Sequence, residues 1–156
     1  MRVFRIERKK YLDSTLSGIG ASLSEGFRWN SLHTRLVYTA ESRALAMLEV
    51  AVHLDLINDL PSDRYYVEIL IPDDIPLVEV DKNDLPRNWD SKPPIIGTQL
   101  IGDDFVMDNE AAVLKVPSSI VPFEFNYLIN PTHKDSERVT IIRSYPVSFD
   151  ERLKQK

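Results

Sequence analysis

Polar and apolar positions alternate along much of the chain. Residues 2–8, RVFRIER, predict a strand with Phe4 and Ile6 on one face and Arg5 on the other. Further strand patterns occur at 35–40 (RLVYTA), 65–71 (YYVEILI), 76–80 (PLVEV), 112–117 (AVLKVP), 123–129 (FEFNYLI) and 137–147 (ERVTIIRSYPV). A helix is expected from Glu41-Ser42 to about Ile57, with Ser42 or Thr39 as N-cap and Glu41 near the first turn. It is apolar almost all round, which predicts a central, buried helix. Ser42, Ala46, Glu49 and His53 share its one polar stripe. A second, short helix is expected over 97–109, weakened by Gly102. Residues 13–26 read as a loop able to cover a ligand, residues 81–96 as a surface loop with one turn near Trp89, and the tail FDERLKQK as loosely held. There is no regular βαβα alternation. The expected fold is α+β: one domain over residues 1–156, with a bent mixed sheet and helices to one side.

Composition narrows the function. At 156 residues, 43% hydrophobic and 28% charged, the chain can build one ordinary core. A net charge of −5 argues against direct nucleic-acid binding, so an anionic ligand needs a local basic site. There is no cysteine, hence no thiol nucleophile or Cys-ligated zinc. His33, His53 and His133 lack metal-ligand spacing, and no metal is expected. No apolar run approaches membrane-spanning length, and MRVFRIERKKY lacks a signal-peptide core, so a cytoplasmic location is expected.

The chemistry converges on Arg28, Tyr38 and Glu49, joined by Ser118. A carboxylate within a run of Ala, Leu, Met and Val is costly to bury without a partner. Arginine gives bidentate bonds to phosphate, and a tyrosine ring can stack on a flat heterocycle. One carboxylate can bind a sugar hydroxyl and stabilise positive charge developing on the sugar ring. Ordinary glycoside hydrolysis needs a second carboxylate to protonate the leaving oxygen. The nicotinamide of NAD is already a cationic leaving group and needs no acid. A structural Arg–Glu pair under a helix is the competing reading.

Several segments resemble the RES-domain family, the toxin half of bacterial toxin–antitoxin pairs. They are F-R-W-N-S at 27–31, V-Y-T-A-E-S at 37–42, A-L-A-M-L-E at 44–49, V-H-L at 52–54, T-Q-L-I-G-D at 98–103, L-K-V-P-S at 114–118 and N-Y-L-I-N-P-T-H at 126–133. Phe27 departs from the common G-G-R-W-N. The resemblance implies an ADP-ribosyltransferase-like fold and an activity that consumes NAD as substrate, with no cofactor. It matches Arg28, Glu49 and Ser118 to the residues that name the family, and Tyr38 to the family tyrosine. Arg28 would hold pyrophosphate or ribose, Tyr38 would stack on nicotinamide, Glu49 would bind ribose and stabilise the transition state, and Ser118 would orient the nicotinamide end.

The implied partner is an Xre-type helix-turn-helix antitoxin, to which any DNA binding would belong. A homodimer and a toxin–antitoxin hetero-oligomer both remain open. Transfer of ADP-ribose to a specific protein is the alternative activity, and a non-enzymatic binding module is a third class. His53 enters as a candidate substrate-binding residue, although a buried hydrogen-bonding partner is the plainer role. Trp29 reads as a core or hinge aromatic, Asn126 and Asn130 as turn-fixing residues, and Arg5 as facing either the site or a surface acid.

Overall fold

The computed structural model describes residues 1–55 and 60–154. Seven strands form one sheet: β1 (Arg2–Arg8), β2 (Val37–Ala40), β3 (Arg64–Leu70), β4 (Leu77–Glu79), β5 (Val113–Pro117), β6 (Phe125–Ile129) and β7 (Thr140–Pro146). Their order is β4-β5-β6-β2-β1-β3-β7. All neighbours are antiparallel except β4 and β5, so the sheet is mixed, as expected. β1 and β3 pair along their whole length, whereas β1 and β2 meet only at Phe4 and Ala40. Arg5 bridges this seam. Its guanidinium bonds Glu7 at 2.8 and 3.0 Å and donates to the Tyr38 carbonyl at 3.1 Å. The acid it meets is therefore a buried one on its own strand.

Alternation along the strands sorts the core into faces. Val3, Val37, Val67, Ile69, Val113 and Ile129 pack on one face, against Leu12 and Leu16. On the other face, Phe4, Ile6 and Ala40 pack against Leu45 and Ala46 of helix α2 (Arg43–Ala51). Leu114, Val116 and Leu128 pack there against Phe105 of α3 (Ile96–Asp108). Tyr38 joins the α3 cluster and Ala40 the α2 cluster, and these two positions share a face of β2. Both helices thus cover the same face.

Ser42 caps α2 by accepting the Leu45 amide at 3.0 Å. Thr39 lies inside β2, and Glu41 accepts the Phe125 amide of β6 at 3.1 Å instead of sitting in the first turn. The helix stops at Ala51, with residues 52–53 in a turn; the expected end at Ile57 falls outside the described residues. Only one side of α2 is covered. Leu48 and Val52 are exposed, so apolar character all round does not translate into burial all round. The segment 13–26 is not a plain loop. Its start completes a 3₁₀ helix (Lys9–Ser17), and a short helix, α1 (Ile19–Ser22), follows, with Thr15, Ala21 and Ser22 buried. The start of the tail is packed, since Phe149, like Val147 before it, joins the α2 cluster.

Glu68 of β3 is 0% exposed on the α2 side of the sheet. Its carboxylate accepts from Arg143 at 2.8 Å, Arg2 at 3.0 Å and Arg43 at 3.1 Å, which ties β7, β1 and α2 to β3. The Arg143 hydrogen bond, with the charges of Arg143, Arg43 and Arg2, holds this carboxyl below its ordinary value against the effect of burial. A carboxyl lowered on folding contributes stability that is present above its unfolded value and lost as pH falls through its folded value. Urea unfolding between pH 7 and pH 3 should therefore show Glu68→Gln less stable at neutral pH and less sensitive to acid. Parallel acid limbs for the two proteins would refute that contribution.

Candidate active site

Arg28 sits in a turn braced from three directions. Gln99 Nε2 of α3 donates to the Phe27 carbonyl at 2.9 Å. Asp103 of the same helix accepts from Ser31 N at 3.0 Å and Ser31 Oγ at 2.5 Å. Between these two residues the Trp29 carbonyl lies against Gly102, where an added Cβ would stand 1.6 Å from the oxygen. The glycine that weakens α3 on propensity is thus what lets the turn approach. From the sheet, the Tyr38 hydroxyl donates to Asn30 Oδ1 at 2.6 Å and accepts the Trp29 amide at 3.2 Å. Asn30 is fully buried and donates onward to the Ala21, Ser31 and Thr34 carbonyls. Trp29 is buried in the α3 cluster, as expected of a core aromatic.

The Arg28 side chain projects from this anchored turn. Its Nη1 donates to the carbonyls of Trp89 at 2.5 Å and Ser91 at 3.1 Å. Among the described residues, Nε and Nη2 take no partner, so the fork retains donors for an anion. Partial burial pulls this guanidinium below its ordinary value, and the charges of Asp90, Glu49 and Tyr38 oppose the shift. Tyr38 moves upward, chiefly through burial of its phenol, with the Trp29 amide opposing. It stays neutral at physiological pH and is no base. Phe27 lies against its ring at 5.0 Å, so the residue that departs from the family pattern packs on the tyrosine.

Glu49 projects from the last turn of α2 and is half-buried. Its Oε1 accepts from Asn126 Nδ2 at 2.7 Å and Ser118 Oγ at 3.2 Å. Among the described residues, Oε2 takes no hydrogen bond, and no ion pair joins Glu49 to Arg28. The reading as a structural Arg–Glu pair therefore lacks its contact. Ser118 follows β5, is buried, and also accepts the amides of Ile120 and Val121, both at 3.1 Å. A cleft of about 390 Å³ reaches this site at Ser118; Trp89, Pro122, Phe123 and Phe125 line it together with the charged Glu79, Asp81, Lys82 and Glu124.

The structure thus joins Glu49 to Ser118 directly, and Tyr38 to the Arg28 turn. His53 lies beyond the end of α2 and is exposed, so it is not the buried partner expected. Asn126 does not fix a turn but lies in β6, where it makes the shorter of the two hydrogen bonds to Glu49. Its signal was a polar position on β6 opposite Ala40 of β2, in line with the helix-bearing face. Asn130 does fix a turn, with Oδ1 accepting Thr132 N at 3.0 Å and Oγ1 at 2.7 Å. Gln99, Gly102 and Asp103 were missed as supports of Arg28, although all three fall in the T-Q-L-I-G-D segment. Among the described residues there is no group of three or more His, Asp or Glu able to hold a metal, and no helix long and apolar enough to cross a membrane.

Residues 2–150 match the model of the RES domain. The chain belongs to the RES-domain family. It is 39% identical to a Prs ADP-ribosylating toxin of Sphingobium sp. (strain YBL2), with 96% of this chain and 93% of that protein aligned. It is 36% identical to a Toxin Res of Photorhabdus laumondii, covering 98% and 97% of the two chains. A chain in the crystal structure of the M. tuberculosis MbcT–MbcA toxin–antitoxin complex superposes with a TM-score of 0.76 at 14% identity, over 94% of this chain and 84% of that one. That likeness is one of fold, and the fold is the α+β architecture the RES resemblance implied. The segments that resemble the family map onto the arginine turn, its α3 support, the capped helix and the Glu49 donors.

Proposed function

We propose that this RES-domain protein is a toxin that breaks the nicotinamide–ribose bond of NAD and is held inactive by a cognate antitoxin. The observation that carries the reading is the setting of Glu49. Two neutral donors, Ser118 and Asn126, occupy one oxygen of its carboxylate, and no cation neutralises it among the described residues. Such a carboxylate can accept a ribose hydroxyl through the other oxygen. It also stabilises positive charge that develops on the ribose as the bond breaks. The electron pair of the C1′–N bond passes to the pyridinium nitrogen, so nicotinamide departs neutral and no general acid is required. An oxygen nucleophile then adds at C1′ and gives up its proton. Arg28, with Nε and Nη2 unused, suits the pyrophosphate. Tyr38 has its hydroxyl committed to the arginine turn, and its ring is left to contact the nicotinamide.

Names of relatives support a toxin, and the toxin–antitoxin complex among similar structures supports an antitoxin partner. From the RES resemblance, that partner is of the Xre helix-turn-helix type. The printed name of the Sphingobium relative favours a second reading, transfer of ADP-ribose to a protein. NAD labelled in its ADP-ribose half, incubated with the purified protein in a cell lysate, separates the readings. Free labelled ADP-ribose supports hydrolysis, its phosphorylated form supports phosphorolysis, and a discrete labelled protein band supports transfer. Intact NAD after prolonged incubation would refute all three.

A further inference from the structure

Between β5 and β6 the chain displays a side chain that the fold does not use. Phe123 is 96% exposed, and its backbone lies at φ +67°. Bulky residues seldom adopt that left-handed conformation, which glycine and asparagine enter readily. Pro122 precedes it, and the Glu124 amide donates to the Val121 carbonyl at 3.4 Å. Residues 121–124 therefore form a turn with proline second and a positive φ third, the position where glycine or asparagine is favoured. The sequence puts phenylalanine there. A strained backbone and an apolar ring in water are both unfavourable, and no place in a core cluster offsets them.

The loop is held firmly while it carries this strain. Ser118 Oγ accepts the Ile120 and Val121 amides, Ser118 N donates to the Glu124 carbonyl at 2.8 Å, and Glu41 accepts the Phe125 amide. The ring stands on the wall of the cleft that also contains Trp89 and Ser118. Ser118 donates to Glu49, and the Trp89 carbonyl takes Arg28. The cleft of about 390 Å³ is of a size for a flat heterocycle joined to a sugar; Trp89, Phe123 and Phe125 offer ring faces, and Glu79, Asp81 and Glu124 offer acceptors for sugar hydroxyls.

We propose that Phe123 is a substrate-binding residue that stacks on an aromatic base of NAD in this cleft, its strained turn serving to present the ring. The inference rests on the NAD reading above. Steady-state kinetics and NAD-dependent melting shifts of the wild type, Phe123→Gly and Phe123→Tyr test it. Glycine relaxes at this φ, so Phe123→Gly should melt at or above the wild-type temperature. Its KM for NAD should nevertheless rise about tenfold with kcat little changed, as expected when a stacking contact is removed. Phe123→Tyr should restore KM. An unchanged KM in Phe123→Gly would overturn the proposal. If that variant instead keeps its KM but loses labelling of a lysate protein, the ring serves a protein acceptor and base stacking is likewise overturned. A wild type that neither shifts with NAD nor consumes it would bring down the NAD reading, and this inference with it.

Discussion

Glu49→Gln is expected to slow nicotinamide release from NAD by about 100- to 1,000-fold, the range seen when a single preorganised electrostatic contact to a developing charge is removed. The substitution keeps the shape of the side chain and removes only its charge. The surroundings can accommodate it, because the Ser118 hydroxyl rotates and the amide oxygen can still accept from Asn126. Glu49 is half-buried, without an ion pair among the described residues, so the melting temperature should change little. The loss should appear in kcat, where the developing charge is no longer stabilised, and KM should rise as well, because the amide nitrogen cannot accept the ribose hydroxyl. Chromatographic quantification of nicotinamide with time is a sufficient measurement. Near-wild-type turnover by Glu49→Gln would remove the carboxylate from the mechanism. Asn126→Ala provides a graded comparison: it leaves the charge but removes the 2.7 Å donor, and should lose activity less severely.

Gly102→Ala is expected to be the most damaging single methyl in the protein. The added carbon would lie 1.6 Å from the Trp29 carbonyl oxygen and 2.8 Å from its carbon. Both are backbone atoms, and the turn that carries them is fixed by Tyr38, Gln99 and Asp103. Either α3 must lift from the sheet or the turn must leave its hydrogen bonds. A destabilisation of about 3 kcal/mol is expected for overpacking of this kind. That corresponds to a fall in Tm of roughly 10 °C for a domain of this size. Assayed at a temperature where the variant remains folded, NAD cleavage should still be strongly reduced, because Arg28 is displaced with the turn. Gly20→Ala is the matching control. No atom lies within 4 Å of its added Cβ, and its Tm should hold or rise. Equal melting temperatures for the two variants would show that the turn yields without cost.

The strands were legible because alternation is a local property. β1, β3 and β6 lie within a residue or two of where their patterns placed them. Ser42 was legible as a cap because its chemistry is local too. The extent of α2 was not. An all-round apolar helix predicts burial, but α2 lies on an outer face of the sheet, with Leu48 and Val52 left exposed. Residues 13–26 differ from the loop their composition predicts: small polar residues signal loops on average, whereas here Thr15, Ala21 and Ser22 are buried in helical turns. The site divides along the same line. Arg28, Glu49 and Ser118 stood out by residue type and family pattern, while Asn126 depends on a strand register that no local pattern states. Gly102 has the same character. Its propensity argued against a helix, and its reason is a carbonyl contributed by a turn more than seventy residues earlier in the chain.

The sheet has a consequence of its own for the chemistry. Phe4 and Ala40 are the one register pair that links β1 to β2, so the sheet is in effect two ladders stitched at a point. Glu49 rides on a helix seated on Phe4 and Ile6 of the first ladder and on Ala40 of the second, while Ser118 and Asn126 come from the second. The carboxylate and its donors are thus joint property of two plates. A slip of about 1 Å between reacting groups can cost some hundredfold in rate. Arg5, bonded to Glu7 of one plate and to the Tyr38 carbonyl of the other, is a side-chain tie across that seam.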